Sequence, residues 1–252
     1  MVDEARKLSI DTENPLLLND LSADVLARNV SNVLYILTNN VYKNSNRAKL
    51  IAVTKTVGPR VIEALKPLNI LDIAENRTQV ALPKLTKIAS EFQLHWIGRL
   101  QTNKVKYIID KVCMLHTLDR MPLAIEVDRR AGECGRILPA LVQVNIAREP
   151  QKGGMPPEEV LPFLRQMRHY PNVHVEGLMS IMPIDASQEE LTRLFRGMRT
   201  LFEELRDTAV DGVEMRELSM GMSNDFAIAA REGATMVRIG SALYRKETKL
   251  TD

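Results

Sequence analysis

Leu50-Ile51-Ala52-Val53-Thr54-Lys55 is a run of four apolar residues closed by a β-branched threonine and a lysine. So short an apolar run, with no polar alternation, is the pattern of a strand buried on both faces, as in a parallel sheet. A lysine in such a strand is costly unless it stands at the strand's end, facing an open site. There, partial desolvation lowers its pKa and frees a neutral amine, which condenses with aldehydes to form a Schiff base. The plainer reading is a solvated strand-end lysine, and this stretch alone leaves both open.

The same kind of run recurs along the chain. Candidate strands fall at 50–55, 70–75, 93–98, 114–118, 140–146, 174–181, 217–222 and 236–243. Helical patterns alternate with them at 59–65, 77–92, 102–111, 120–131, 157–169, 187–208 and 225–232. Alternation of this kind implies right-handed βαβ units and a parallel sheet. Eight strands is the count of a closed (β/α)8 barrel of the TIM type. An open doubly wound sheet competes, but no glycine-rich dinucleotide fingerprint follows any strand. Ahead of the first strand, residues 22–43 predict an extra N-terminal helix, with Ser22 as its cap and Asp24 in its first turn. Residues 1–19 read as a loose arm. Short linkers predict a single domain over 1–252, with the barrel at 20–247.

Composition narrows the function classes. The 252 residues are 45% hydrophobic and 26% charged, as in an ordinary soluble globular protein. A net charge of +2 is too small to imply nucleic acid or membrane binding. With 4% aromatic residues there is no base-stacking platform. No apolar run approaches the roughly 20 residues of a membrane span, and the first residues lack the apolar core of a signal peptide. Cys113 and Cys134 form neither a metal spacing nor a redox pair, and nothing else has metal-ligand spacing. A cytoplasmic location is expected.

In a barrel, function collects where strands end and βα loops begin. The first strand ends in Lys55, the second in Glu75-Asn76-Arg77, the fourth in His116-Thr117-Leu118-Asp119 and the fifth in Asn145. Helix capping accounts for Thr102 and Asp119 but less easily for Lys55 or Asn145. His95 and His116 are candidate acid–base groups, with hydrogen-bonded core histidines as the plainer reading. The seventh strand runs into Ser219-Met220-Gly221-Met222-Ser223-Asn224-Asp225, and the eighth into Arg238-Ile239-Gly240-Ser241-Ala242. Loops after the last two strands are where barrels commonly hold phosphate, and glycines, hydroxyls and free N–H groups suit that task. A phosphate site and a Schiff-base lysine on one rim suggest a single ligand, pyridoxal 5′-phosphate.

At these residues the chain resembles a known family. Ala52-Val53-Thr54-Lys55-Thr56, Glu75-Asn76-Arg77-Thr78-Gln79, His95-Trp96-Ile97-Gly98-Arg99-Leu100-Gln101-Thr102-Asn103-Lys104, Leu218-Ser219-Met220-Gly221-Met222-Ser223 and Met236-Val237-Arg238-Ile239-Gly240-Ser241 carry the likeness. They resemble the small pyridoxal-phosphate homeostasis proteins, whose fold is similar to the N-terminal barrel of alanine racemase (fold type III of the cofactor's enzymes). The resemblance implies that Lys55 holds the cofactor as an internal aldimine, that Asn76 lies near the ring, that Ser219, Ser223, Gly240 and Ser241 surround the phosphate, and that Arg238 points at the pyridine nitrogen. Ala74 stands where the family usually has glycine, and Thr54 where serine is frequent.

An arginine at the pyridine nitrogen disfavours protonation there and weakens the cofactor as an electron sink. Racemisation also needs proton transfer on both faces of the substrate carbon. In the similar racemases the second base comes from a further β domain and a partner subunit, for which a chain ending at Asp252 leaves no room. The expectation is therefore a cofactor carrier with no catalytic residue, acting as a monomer and releasing cofactor by transimination, with cofactor-dependent apoenzymes as recipients. An amino-acid racemase is the alternative reading. A barrel enzyme acting on a phosphosugar is a third.

Overall fold

The computed structural model describes residues 18–43 and 45–246. Of the arm expected at 1–19, only Leu18 and Asn19 fall within the described residues. Strands β1 (Lys49–Val53), β2 (Asp72–Glu75), β3 (Gln93–Trp96), β4 (Val112–Leu118), β5 (Leu138–Gln143), β6 (Val173–Met179), β7 (Val213–Ser219) and β8 (Met236–Ile239) close into a barrel in chain order. Every neighbouring pair is parallel, including β1 with β8, where Ile51 stands opposite Arg238.

Both faces of the strands are covered, which is why they read as unbroken apolar runs. Alternate residues fill the lumen: Ile51 and Val53 of β1, Ala74, Met114, Leu141, Met179 and Met236. The intervening residues, such as Leu50 and Ala52, pack outward under the helices. Those helices are α2 (Pro59–Glu63), α3 (Thr78–Leu85), α4 (Met121–Glu133), α5 (Pro157–Met167), α6 (Gln188–Thr208), α7 (Phe226–Arg231) and α8 (Ser241–Tyr244). Helix α1 (Ala23–Asn39), which precedes the barrel, is capped by the Ser22 side chain, which accepts from the Val25 N–H. It packs on α7 and α8, and its buried Asn29 donates to the Leu243 and Arg245 carbonyls.

The structure departs from the sequence expectation in several places. β1 stops at Val53, so Lys55 lies in a turn beyond it. β7 begins and ends earlier than expected, and Gly221 follows it with φ +93°. A side chain there would put its Cβ 2.6 Å from that of Ala229, so only glycine makes this close turn into α7. Residues 241–243, expected as strand, instead open α8. The N–H groups of Gly240 and Ala242 are held by Ser223 Oγ, which turns the chain at the rim. Helix α3 ends well short of residue 92, two residues after Pro83, whose ring removes an N–H from the helix ladder. The pattern at 102–111 yields only a 3-10 segment, Thr102–Tyr107. Neither Thr102 nor Asp119 caps a helix: the cap positions are Gln101 and Arg120, and the Asp119 carboxylate instead pairs with Arg120.

Candidate functional site

A cavity of about 490 Å³ opens at the C-terminal rim between the loops following β1, β6, β7 and β8. Lys55 and Thr56 reach it from the first loop, Asn76 from the second, and Ser223, Asn224 and Asp225 from the seventh. Arg238, Gly240 and Ser241 complete the polar part, while Ile97, Ile181, Met182 and Ile184 supply apolar wall. Lys55, Asn76, Ser223, Arg238, Gly240 and Ser241, separated by up to 186 positions in sequence, are thus brought to one cavity.

Ser219 is the exception. It does not line the cavity; it is fully buried beneath it, and its Oγ accepts a 2.6 Å hydrogen bond from Arg238. Its hydroxyl is therefore committed to positioning the guanidinium. The loop following β7 presents Ser223 to the cavity instead.

Arg238 enters a relay through the barrel interior. One of its nitrogens meets Ser219 and the other donates to the Ser180 carbonyl at 2.7 Å. Ser219 Oγ lies 3.0 Å from His116 Nδ1, His116 Nε2 lies 2.9 Å from His95 Nδ1, and His95 Nε2 lies 3.0 Å from Asp72 Oδ1. Burial, with His95 and Arg238 nearby, holds the His116 pKa well below 6.5, so the ring is neutral. One pattern satisfies every group with both imidazoles neutral. Arginine can only donate, so Ser219 accepts from it and gives its own hydrogen to His116 Nδ1. His116 then donates through Nε2 to His95, and His95 through Nε2 to Asp72. Burial opposes the Asp72 charge, but the His95 hydrogen bond and the Lys49 ammonium outweigh it and hold the carboxyl below its usual range. The two histidines are hydrogen-bonded core residues. Burial lowers the Arg238 pKa to about 10, partly offset by Asp225, so the guanidinium stays charged at neutral pH.

Lys55 is exposed, so the desolvation expected of a strand-end lysine is not supplied by the chain itself. Its loop is nonetheless anchored. The adjacent Thr54 donates to Glu75 Oε1 at 2.8 Å, and Lys84 Nζ donates both to Glu75 Oε1 (2.8 Å) and to the Thr54 carbonyl (2.7 Å). Lys84 is 3% exposed, and no sequence signal marked it: a lysine in a helical pattern reads as solvated until its partner is known. Glycine at 98 allows the Asn76 backbone to pass close by, since a Cβ there would stand 2.2 Å from the Asn76 carbonyl. Asn145 lies outside the cavity; its side chain staples the loop after β5 by bonding both the N–H and C=O of Glu149. Cys113 and Cys134 are free, and burial pushes the Cys113 thiol up to about 12. Among the described residues no helix is long and apolar enough to cross a membrane.

Barrel and rim define a class of protein first. Residues 26–247 match the family model described as alanine racemase, N-terminal domain. An alanine racemase from Clostridium difficile 630 shares that fold, with a TM-score of 0.72 at 16% identity, covering 91% of this chain and 58% of the racemase. More similar is a protein of Aquifex aeolicus named pyridoxal phosphate homeostasis protein, 41% identical over 203 residues, or 80% of this chain and 88% of the relative. PipY of Synechococcus elongatus PCC7942 superposes with a TM-score of 0.80 without PLP and 0.76 with PLP bound, at 31% and 30% identity, over 87% of this chain and 100% of PipY in each case. The chain belongs to the pyridoxal phosphate homeostasis protein family, within the alanine racemase N-terminal domain fold.

Proposed function

We propose that this protein binds pyridoxal 5′-phosphate at the rim cavity, covalently through Lys55, and serves cytoplasmic cofactor homeostasis as a monomeric carrier. The observation that carries the reading is one cavity combining an exposed lysine amine, a buried guanidinium and a serine–glycine group at a chain turn. The names of the relatives and the PLP-bound form of PipY support it.

The residues present fit the cofactor. About 490 Å³ suits a small aromatic phosphate, and the apolar side chains of Ile97, Ile181 and Met182 suit a ring. When bound, pyridoxal 5′-phosphate supplies an aldehyde that condenses with a primary amine and passes to a second amine by exchange. Lys55 Nζ would be the first amine, and its exposure leaves it open to replacement by an incoming amine, such as the lysine of a recipient apoenzyme. Ser223 and Ser241 would hold the phosphate at the turn that Gly240 makes, and Asn76 would stand beside the ring. Arg238, braced by Ser219 and the Ser180 carbonyl, would face the ring nitrogen as a charged donor and would disfavour a second positive charge there. Ser219 acts through Arg238.

The carrier reading is preferred to racemisation because the described lining offers one free base. Besides Lys55, its titratable side chains are Arg238 and Asp225, and the Asp225 carboxylate already accepts the Met222 N–H. Two-face proton transfer needs another group.

The test is the visible spectrum of the purified protein with added cofactor, followed by borohydride reduction and peptide mapping. A reduced adduct on Lys55, absent in Lys55→Ala, is expected. No adduct, or one on another lysine, overturns the attachment. Sustained interconversion of amino-acid enantiomers that is lost in Lys55→Ala overturns the carrier assignment.

A further inference from the structure

A second cavity, of about 620 Å³, opens on the same rim between the loops that follow β2, β3 and β4. Asn76 lines both cavities, so they are neighbours. The charged residues lining the second are Arg77, Arg99, Lys104 and Arg120, all cations. Arg120 is matched, pairing with the Asp119 carboxylate and donating to the Leu100 carbonyl at 2.7 Å. Lys104 rests on the Tyr107 ring, 5.5 Å from its centroid. The exposed side chains of Arg77 and Arg99 have no hydrogen bond or ion pair to any described residue. Lys104 thus belongs, with the arginines, to a concave lining whose charged residues are all positive.

Trp96 also lines this cavity and is 2% exposed; its indole Nε1–H has no acceptor among the described residues, but that atom is closed to solvent and lies behind the cavity wall. Three cations without a carboxylate partner among the described residues, gathered in one concavity, call for a negatively charged ligand that offers several oxygens.

We propose that this cavity is a binding site for a phosphate monoester, whose oxygens meet Arg77, Arg99 and Lys104. A dianion balances these cations better than a single carboxylate, and planar guanidinium groups match phosphate geometry. The volume leaves room for a small organic body beyond the phosphate. The site is separate from ligand attachment at Lys55, and the two share only Asn76 among the lining residues.

Trp96 is the chain's one tryptophan, so the 15N-labelled full-length protein gives a single indole cross-peak reporting from behind the wall of the site. Titration with glycerol 3-phosphate or inorganic phosphate is expected to move that peak saturably. The exposed-site double variant Arg77→Gln/Arg99→Gln should keep the fold and weaken binding about 100-fold, on the basis of about tenfold for each charge-assisted contact. Lys104→Gln, followed by calorimetry, should weaken it about tenfold. Ser223→Ala/Ser241→Ala, in the other cavity, should leave the indole response within about twofold of wild type, less than a tenfold contact would give. The proposal is overturned if no peak shift occurs at millimolar phosphate, or if the response survives Arg77→Gln/Arg99→Gln and disappears in Ser223→Ala/Ser241→Ala. It is equally overturned if succinate binds more tightly than the phosphate ester, or if a single-stranded oligonucleotide does so with steep salt dependence.

Discussion

Replacing Ser219 by alanine separates two assignments of its hydroxyl, one to a bound phosphate and one to the support of Arg238. Ser219 is fully buried and lies between a guanidinium at 2.6 Å and a neutral imidazole at 3.0 Å. Ser219→Ala removes a hydrogen bond to a charged donor, a contribution of about 1.5–3 kcal/mol, and leaves His116 Nδ1 without a donor in a dry interior, a further cost of about 1–3 kcal/mol. The expected destabilisation is about 3–5 kcal/mol. For a chain of this size each kcal/mol lowers Tm by about 2–4 °C, giving a drop of roughly 10 °C. The assay is urea and thermal unfolding of the cofactor-free protein followed by circular dichroism. Ser241→Ala is the control: Ser241 is exposed and at the cavity, and its loss should change cofactor-free stability by less than about 0.5 kcal/mol. If Ser219→Ala is as stable as wild type without cofactor and loses only cofactor affinity, the hydroxyl serves the phosphate and the positioning argument is wrong.

Acid stability follows from His116. Its folded pKa is depressed, so below about 6.5 the unfolded chain binds a proton that the folded chain refuses; stability falls with pH at up to about 1.4 kcal/mol per unit, and His116→Gln should flatten this difference in urea midpoints between pH 7 and 5. Lys84→Met should destabilise by about 3–5 kcal/mol by stranding the buried Glu75 carboxylate, and Lys84→Met/Glu75→Gln should recover most of that in the same unfolding assay. A double variant as unstable as the single would show that the pair's charge is not what matters. Gly221→Ala should lower stability by about 2–4 kcal/mol, combining left-handed backbone strain with a 2.6 Å clash against Ala229, and reduce cofactor loading by displacing Ser223.

The barrel was legible because its strands are buried on both faces. Runs such as 50–53 and 140–144 need no knowledge of a partner to be recognised, and their repeat with helices fixes topology through the handedness of βαβ units. Local signals were weaker wherever the chain turned. The residues at 241–243 are as apolar as a strand's end, yet a hydroxyl 17–19 positions earlier captures two N–H groups and makes them a helix. Pro83 shortened α3 in the way its ring chemistry requires, a signal present in the sequence and outweighed there by the helical period.

Six of the seven expected site residues lie at one cavity because barrel strands deliver their C-terminal ends to one rim, so position in the chain was a sufficient guide. That much the sequence determined by itself: the fold class, and the gathering of Lys55 and the serine–glycine turns at one rim. The tertiary structure alone decided how polar groups pair. Ser219 turned from rim to interior, His95 and His116 joined Asp72 to Arg238, Lys84 found Glu75, and Trp96 was left with a free donor. The physical reason is that apolar burial depends on a residue's own periodicity, whereas a hydrogen bond depends on which distant strand lies opposite, and only closure of the barrel brings those strands together.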